Sequence, residues 1–471
     1  MAITTATYDA TYIYVSGGQV GTVDEVTAAI GDTAIMEKVG SVHTIKGNRG
    51  LYIGTTTNTH VTLSSGQTLD ILKTSNAYAL RVTDYCEFEM EEGTTLICSS
   101  PSAAAGIGGY IYIYGRLTAV GTSVNPITIM KPRYFRLFGR SNTNNTAGQS
   151  HLEYVNIKNM RYRYAATLEF YNMDQFAFQP THIFRHVLIT NDTSDGGILN
   201  YGYGIALHGG DYSNCIFEDI TVEKNYYGIY SYGGIAKFTR CHFKENYNRV
   251  VSGYGSAPCA QGYSQYHDMK FGNIAQGYLT FDDCIFENNY TSTSSRRAFQ
   301  TYSSNSIKLI DCEFKTAYYA IFSDYQSCFF VVRPTFTSIT NYDYYISSAG
   351  VRAVNIAWEL DLTVYDPSGN LIEGATVIVN QSENKETATF ITDSNGAALD
   401  YFGDFPVFSE KQMYTHTPSY YNWSQSGDNY HDIIVSKPGY LMERRKVYFT
   451  EDKTIDIHLR AEAGVRALPQ N

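Results

Sequence analysis

Tryptophan, proline and charge are all scarce in this sequence: its 471 residues hold only 2 Trp and 11 Pro, and 17% of them are charged. The net charge is −11, and the longest basic run is Arg444-Arg445-Lys446. Nucleic-acid binding needs a patch of cations that displaces counterions from phosphates, so no nucleic-acid partner is expected. No stretch approaches the ~18 consecutive apolar residues of a membrane span, so no membrane insertion is expected either. Met1-Ala2-Ile3-Thr4-Thr5 has neither a basic segment nor an apolar core, and no signal peptide is visible. The 8 cysteines include no CxxC pair, which argues against a zinc knuckle or a thioredoxin-like centre. No metal and no cofactor are expected. A hydrophobic fraction of 43% in turn excludes a disordered chain.

What is abundant is tyrosine, with 42 residues, followed by 24 Phe. Tyr favours strands, where the ring covers pleated surface and the hydroxyl stays wet. The surplus predicts a β-rich protein with broad aromatic outer faces. Such faces suit sugars or protein partners, and they also serve as ordinary strand surface.

Aligning the chain to itself exposes a repeat. Cys215-Ile216-Phe217-Glu218, Cys241-His242-Phe243-Lys244, Cys284-Ile285-Phe286-Glu287 and Cys312-Glu313-Phe314-Lys315 share one frame: small apolar, outward, Phe, charge. That is the period-two alternation of a half-buried strand. The frame extends back to Val187 and Val155 and forward to Pro334, with spacings of 32, 28, 26, 43, 28 and 22 residues. Periods of about 20–50 residues signal a solenoid. The spacing of 43 marks an insertion between Cys241 and Cys284. Two inner stacks are expected: Val155, Val187, Cys215, Cys241, Cys284 and Cys312 on one, and Ile157, Ile189, Phe217, Phe243, Phe286 and Phe314 on the other. The cysteines then read as small buried residues rather than disulfides or ligands. Asn191, Asp219, Glu245 and Asn288 follow the repeat and are expected to line one corner.

Glu92-Gly93-Thr94-Thr95-Leu96 and Gly115-Arg116-Leu117-Thr118-Ala119-Val120-Gly121-Thr122, followed by Asn125-Pro126-Ile127, resemble the first coils of right-handed parallel β-helix proteins of the pectin-lyase-like and phage tailspike-like kind. The resemblance covers roughly residues 45–355 and implies architecture rather than activity, since such coils carry lyases, hydrolases, adhesins and tailspikes alike. After Trp358 the texture changes. Val364-Tyr365-Asp366-Pro367-Ser368-Gly369-Asn370, Thr392-Asp393-Ser394-Asn395-Gly396 and Lys437-Pro438-Gly439-Tyr440 resemble the carboxypeptidase regulatory-like, transthyretin-like β-sandwich. The expected fold class is therefore all-β, a right-handed parallel β-helix solenoid followed by a small β-sandwich. Residues 1–44 form an N-terminal cap or attachment segment, 45–357 the β-helix, 358–462 the sandwich and 463–471 a tail. Within the first segment, Thr22 to Ile30 suits a short helix with Thr22 or Asp24 near its start.

Chemistry is harder to find. Polygalacturonase-like motifs fail residue by residue: Asn191-Asp192-Thr193 has the wrong order, and Leu207-His208-Gly209-Gly210 stands where G-H-G would. Asp282-Asp283 sits just before Cys284, where solvated turn acids are expected. His208 with Asp211, Asp219 with Glu223, and His267 with Asp268 near Arg296-Arg297 each read as turn residues first, and no catalytic residue is assigned. The aromatic cluster Tyr226, Tyr227, Tyr230, Tyr232, Tyr254, Tyr263 and Tyr266 suits sugar rings better, with solenoid packing as the bland alternative. The expected function is a structural surface protein of a virus particle, a tailspike, fibre or capsid-surface component. It would meet a host-surface glycan or other virion proteins, as a homo-oligomer such as a trimer, on the virion or an extracellular surface. The rivals are a tailspike-type depolymerase (polysaccharide lyase or glycoside hydrolase) and a cell-surface adhesin.

Overall fold

The computed structural model describes residues 2–54, 58–100, 108–139, 149–158, 166–172, 181–191, 202–208, 212–232, 235–247, 249–252, 278–289, 297–302, 306–323, 328–346, 353–381, 387–398, 407–413, 431–448 and 452–462. Within them the period-two alternation becomes three strands per coil. In one coil Ile183–Arg185, Leu188–Thr190 and Tyr203–His208 follow one another. Each pairs in parallel with its equivalents in the coils before and after. Repetition gives three parallel ladders. The first runs from Val20–Thr22 to Ala353–Tyr365, the second from Val42–Ile45 and the third from Tyr12–Val15, the last two merging in Glu313–Ser323 and ending in Thr335–Ile346. The chain is all-β, a parallel β-helix-type solenoid with a small C-terminal sheet domain.

The helix forms where expected, at Val23–Ile30, directly after the first-ladder strand Val20–Thr22. Thr22 caps it, its side chain accepting from the Glu25 amide while the Glu25 carboxylate accepts from the Thr22 amide. Gly31 ends it at φ 62°. Val23, Val26 and Ile30 lie on one face and join the solenoid core, which is what an end cap requires.

Two interior stacks exist, but their membership differs from the repeat read along the chain. Phe217 pairs with Phe184 and Phe238 in the first ladder, with ring centroids 5.5 and 4.9 Å away. The second-ladder stack runs Ile157, Ile189, Val222, Phe243, Phe286, Phe314 and Phe336. Cys215 likewise does not share the corner of Cys241, Cys284 and Cys312. Ile220 does, accepting from the His242 amide at 2.8 Å. The cause is local: strands of both ladders present the same outward-inward-outward pattern only five residues apart, and Cys215 precedes the first-ladder strand where the other three cysteines precede second-ladder strands.

The turn residues separate into two columns as well. Tyr154, His186, Asp219, Arg240, Asp283, Asp311 and Arg333 hold left-handed φ values of 46–54° immediately before the second-ladder strands. Each of the first six donates its amide to the end of the first-ladder strand one coil on, as from Asp219 to Thr239 at 3.0 Å and from Asp283 to Ile310 at 2.9 Å. Those bonds hold a conformation that costs a non-glycine residue about 1–2 kcal/mol. Glu245 and Asn288 belong to a second left-handed column after the second ladder, with Lys224. Next to it lies a buried asparagine ladder. Asn246 Oδ1 accepts from the Asn225 amide at 3.2 Å, and Asn289 Oδ1 accepts from the Asn246 amide at 3.0 Å. Their side-chain amides donate inward to the Ile189, Val222 and Phe243 carbonyls.

Cys241 and Cys284 stand in successive coils, since Ile285 donates to the Cys241 carbonyl at 2.8 Å. The extra residues between them fall at 253–277, outside the described residues. At the far end Ala353–Tyr365 belongs to both parts. Its first half continues the first ladder, and its second half pairs with Lys453–His458. Val407–Met413 lies antiparallel along Ala353–Glu359 and covers the edge that the last ladder strand would expose. Leu360, Leu362, Val377, Val379, Ile433 and Val435 belong to a separate buried core. The expected turns are present: Asp366 accepts from the Ser368 and Asn370 amides at 2.8 Å, with Gly369 at φ 84°.

Candidate functional site

Because alternate residues of every strand point outward, each ladder presents side chains in columns about 4.8 Å apart. The outer face of the third ladder is aromatic over much of its length. Successive coils align Tyr14 with Tyr52, Tyr52 with Arg81, Arg81 with Tyr112, and Tyr112 with Arg136. A parallel column aligns Tyr78, Tyr110 and Tyr134. The rings touch along the solenoid: Tyr14–Tyr52 at 5.4 Å, Tyr78–Tyr112 at 4.9 Å, Tyr110–Tyr134 at 5.3 Å, and Tyr114 stacked on Phe138 at 4.2 Å.

Three arginines interleave with these rings. Arg136 lies over Tyr134 at 4.5 Å and Tyr112 at 5.2 Å, and Arg133 over Tyr110 at 5.6 Å. Arg136 donates to the Tyr112 hydroxyl at 2.6 Å and to the buried Glu169 carboxylate at 2.5 Å. Burial, against the opposing pull of Arg136, pushes the Tyr112 hydroxyl up to about 12, so it stays protonated and does not serve as a phenolate base. Farther along, burial and then Arg136 push His208 down to about 4, leaving a neutral ring.

The sequence-predicted tyrosines divide. Tyr227 and Tyr230 stand outward on this same face, forming a pad with Tyr203 at 5.1 and 4.4 Å. Tyr226 sits edge-on to Tyr227 at 4.6 Å. Gly204 and Gly228 let the coils behind the pad close up, since a Cβ on Gly204 would come 2.7 Å from the Gly228 carbonyl. Tyr232 ends the strand Tyr227–Tyr232, its side chain outside the described residues, as are Tyr254, Tyr263 and Tyr266 altogether. The larger aromatic field, from Tyr12 to Phe138, holds none of the sequence candidates. Its signal in the sequence is the alternation of tyrosine in Gly109-Tyr110-Ile111-Tyr112-Ile113-Tyr114.

Other residues that looked chemical turn out to be structural. Asp282 pairs with Lys237 at 2.7 Å, and Asp283 is a left-handed corner residue. Asp219 holds Arg240 through two bonds of 2.9 Å, and Glu223 pairs with Lys244 at 3.0 Å. Asp211, His267, Asp268 and Arg296 lie outside the described residues. Cys86, Cys98, Cys215, Cys241, Cys284 and Cys312 are all buried. Burial pushes the Cys241 and Cys312 thiols up, and both donate to backbone carbonyls, so neither is a nucleophile. Among the described residues, no three His, Cys, Asp or Glu side chains gather as a metal site. Comparison of the chain with family models, with curated proteins and with solved structures returned no match.

Proposed function

We propose that this chain is a structural surface protein of a virus particle, a tailspike, fibre or capsid-surface component, that binds a host-surface glycan along its third ladder. One observation carries the reading: aromatic side chains stand in register over successive coils on one outer face, interleaved with guanidinium groups. Ring faces on a rigid β-scaffold suit the apolar faces of sugars, and the scaffold loses little entropy on binding. The right-handed coil signature and the transthyretin-like turns of the C-terminal domain support the tailspike-like assignment, with further virion copies as the second class of partner.

The test is binding of the full chain to a panel of capsular and envelope polysaccharides, beside Tyr203→Ala and Tyr227→Ala variants. Retained binding with no new reducing ends is expected, and each variant should weaken it by roughly tenfold. Absence of binding across the panel contradicts the reading. Release of reducing ends or unsaturated uronates would replace it with depolymerisation.

A further inference from the structure

Arg81 stands within the aromatic field of the third ladder. It projects outward from Ala77–Val82, between the buried Leu80 and Val82. Its guanidinium lies over three rings, Tyr52 at 5.3 Å, Tyr78 at 5.4 Å and Tyr114 at 5.4 Å. Five other arginines are matched with acids: Arg136 with Glu169, Arg185 with Glu218, Arg240 with Asp219, Arg333 with Asp311 and Arg444 with Asp432. Among the described residues no carboxylate pairs with Arg81, and its buried Nε has no hydrogen-bond partner. Ring quadrupoles fix the position of a guanidinium and partly balance its charge; here the Tyr12 hydroxyl accepts one hydrogen bond from Arg81, and Nε–H is left unfilled. In a chain of net charge −11, a cation held rigidly without an acid is an uncommon arrangement. Its fork matches two oxygens of a planar or tetrahedral anion.

We propose that Arg81 is an anion-recognition subsite, and that the glycan taken by the third-ladder face is acidic, carrying carboxylate or sulfate groups. This rests on the glycan-binding reading, and adds that the sugars stacked on the tyrosines present an anionic group to the Tyr52–Tyr78–Tyr114 cage.

The experiment has two readouts on the full chain. Calorimetry compares a neutral hexasaccharide (chitohexaose), a carboxylated one (from hyaluronan) and a sulfated one that lacks carboxylates (from κ-carrageenan), and separates carboxylate from sulfate. Phenylglyoxal modification of Arg81, mapped by mass spectrometry, is followed with and without glucuronate or inorganic sulfate. The acidic oligosaccharides are expected to bind at least tenfold more tightly than chitohexaose. Arg81→Gln should remove that difference and Arg81→Lys should keep part of it, and glucuronate or sulfate should slow modification of Arg81. The protection arm uses unaltered protein, so a variant that fails to fold does not blunt it. Equal binding of neutral and acidic sugars, unchanged in Arg81→Gln, overturns the proposal and leaves glycan binding intact. Protection by glucuronate without binding of any hexasaccharide supports the anion subsite and removes the glycan reading. Neither protection nor binding overturns both. Binding of an oligothymidylate that depends on Arg81, in place of the sugars, overturns the assignment in favour of single-stranded nucleic acid.

Discussion

His182 shows how a single side chain is committed to the coil. It is buried, its Nδ1 accepts from the Ser150 amide at 3.0 Å, and Phe170 and Phe184 lie against it at 6.0 Å. Burial pushes its pKa from 6.5 down to about 4. The unfolded chain therefore takes up a proton below pH 6.5 that the folded coil refuses until about pH 4, and stability falls across that window as the pH drops. At roughly 1.4 kcal/mol per pH unit the loss is on the order of 3 kcal/mol. Denaturant unfolding at a series of pH values should show this slope, and His182→Asn, which keeps an acceptor but does not titrate, should reduce it and leave the share of His208. Arg240 and Asp219, by contrast, are exposed enough that their bonds contribute less than about 1 kcal/mol.

At the scale of the element, the asparagine ladder ties successive coils together. Asn246 serves three partners, the Asn225 amide, the Val222 carbonyl and Asn289. Asn246→Ala leaves buried backbone groups unpaired and opens a cavity, a loss of about 2–4 kcal/mol. Hydrogen exchange at Asn225 and its neighbours should accelerate by about thirtyfold or more, whereas Lys244→Gln, which removes a surface pair, should change it little. Strands of this kind were legible in the sequence because Phe217, Phe243, Phe286 and Phe314 each stand two residues after a small apolar residue and just before a charge. The ladder to which each belongs was not. Cys215 and Ile220 begin similar strands five residues apart, and only pairing across coils tells them apart. The same limit governed the aromatic face. Alternation places Tyr110, Tyr112 and Tyr114 on the outside, but their meeting with Tyr78, Arg81 and Tyr134 depends on coil-to-coil register, which no local pattern contains.

For the whole molecule, the solenoid turns short local alternations into one long surface. Its N-terminal coil is closed by the helix Val23–Ile30, and its last first-ladder strand passes into a second core while Val407–Met413 covers its edge. Between these ends, the third-ladder face carries rings and guanidinium groups from Tyr12 to Tyr230, and the described interior behind it is apolar and buried. The most direct measurement is hydroxyl-radical footprinting of tyrosines with and without a bound acidic polysaccharide. Joint protection of Tyr52, Tyr78, Tyr110, Tyr112, Tyr203 and Tyr227 is predicted, with Tyr85 and Tyr448, exposed outside the third-ladder strands, unchanged. Protection confined to Tyr85 or Tyr448, or no change at the third-ladder tyrosines while the polysaccharide is bound, would contradict it.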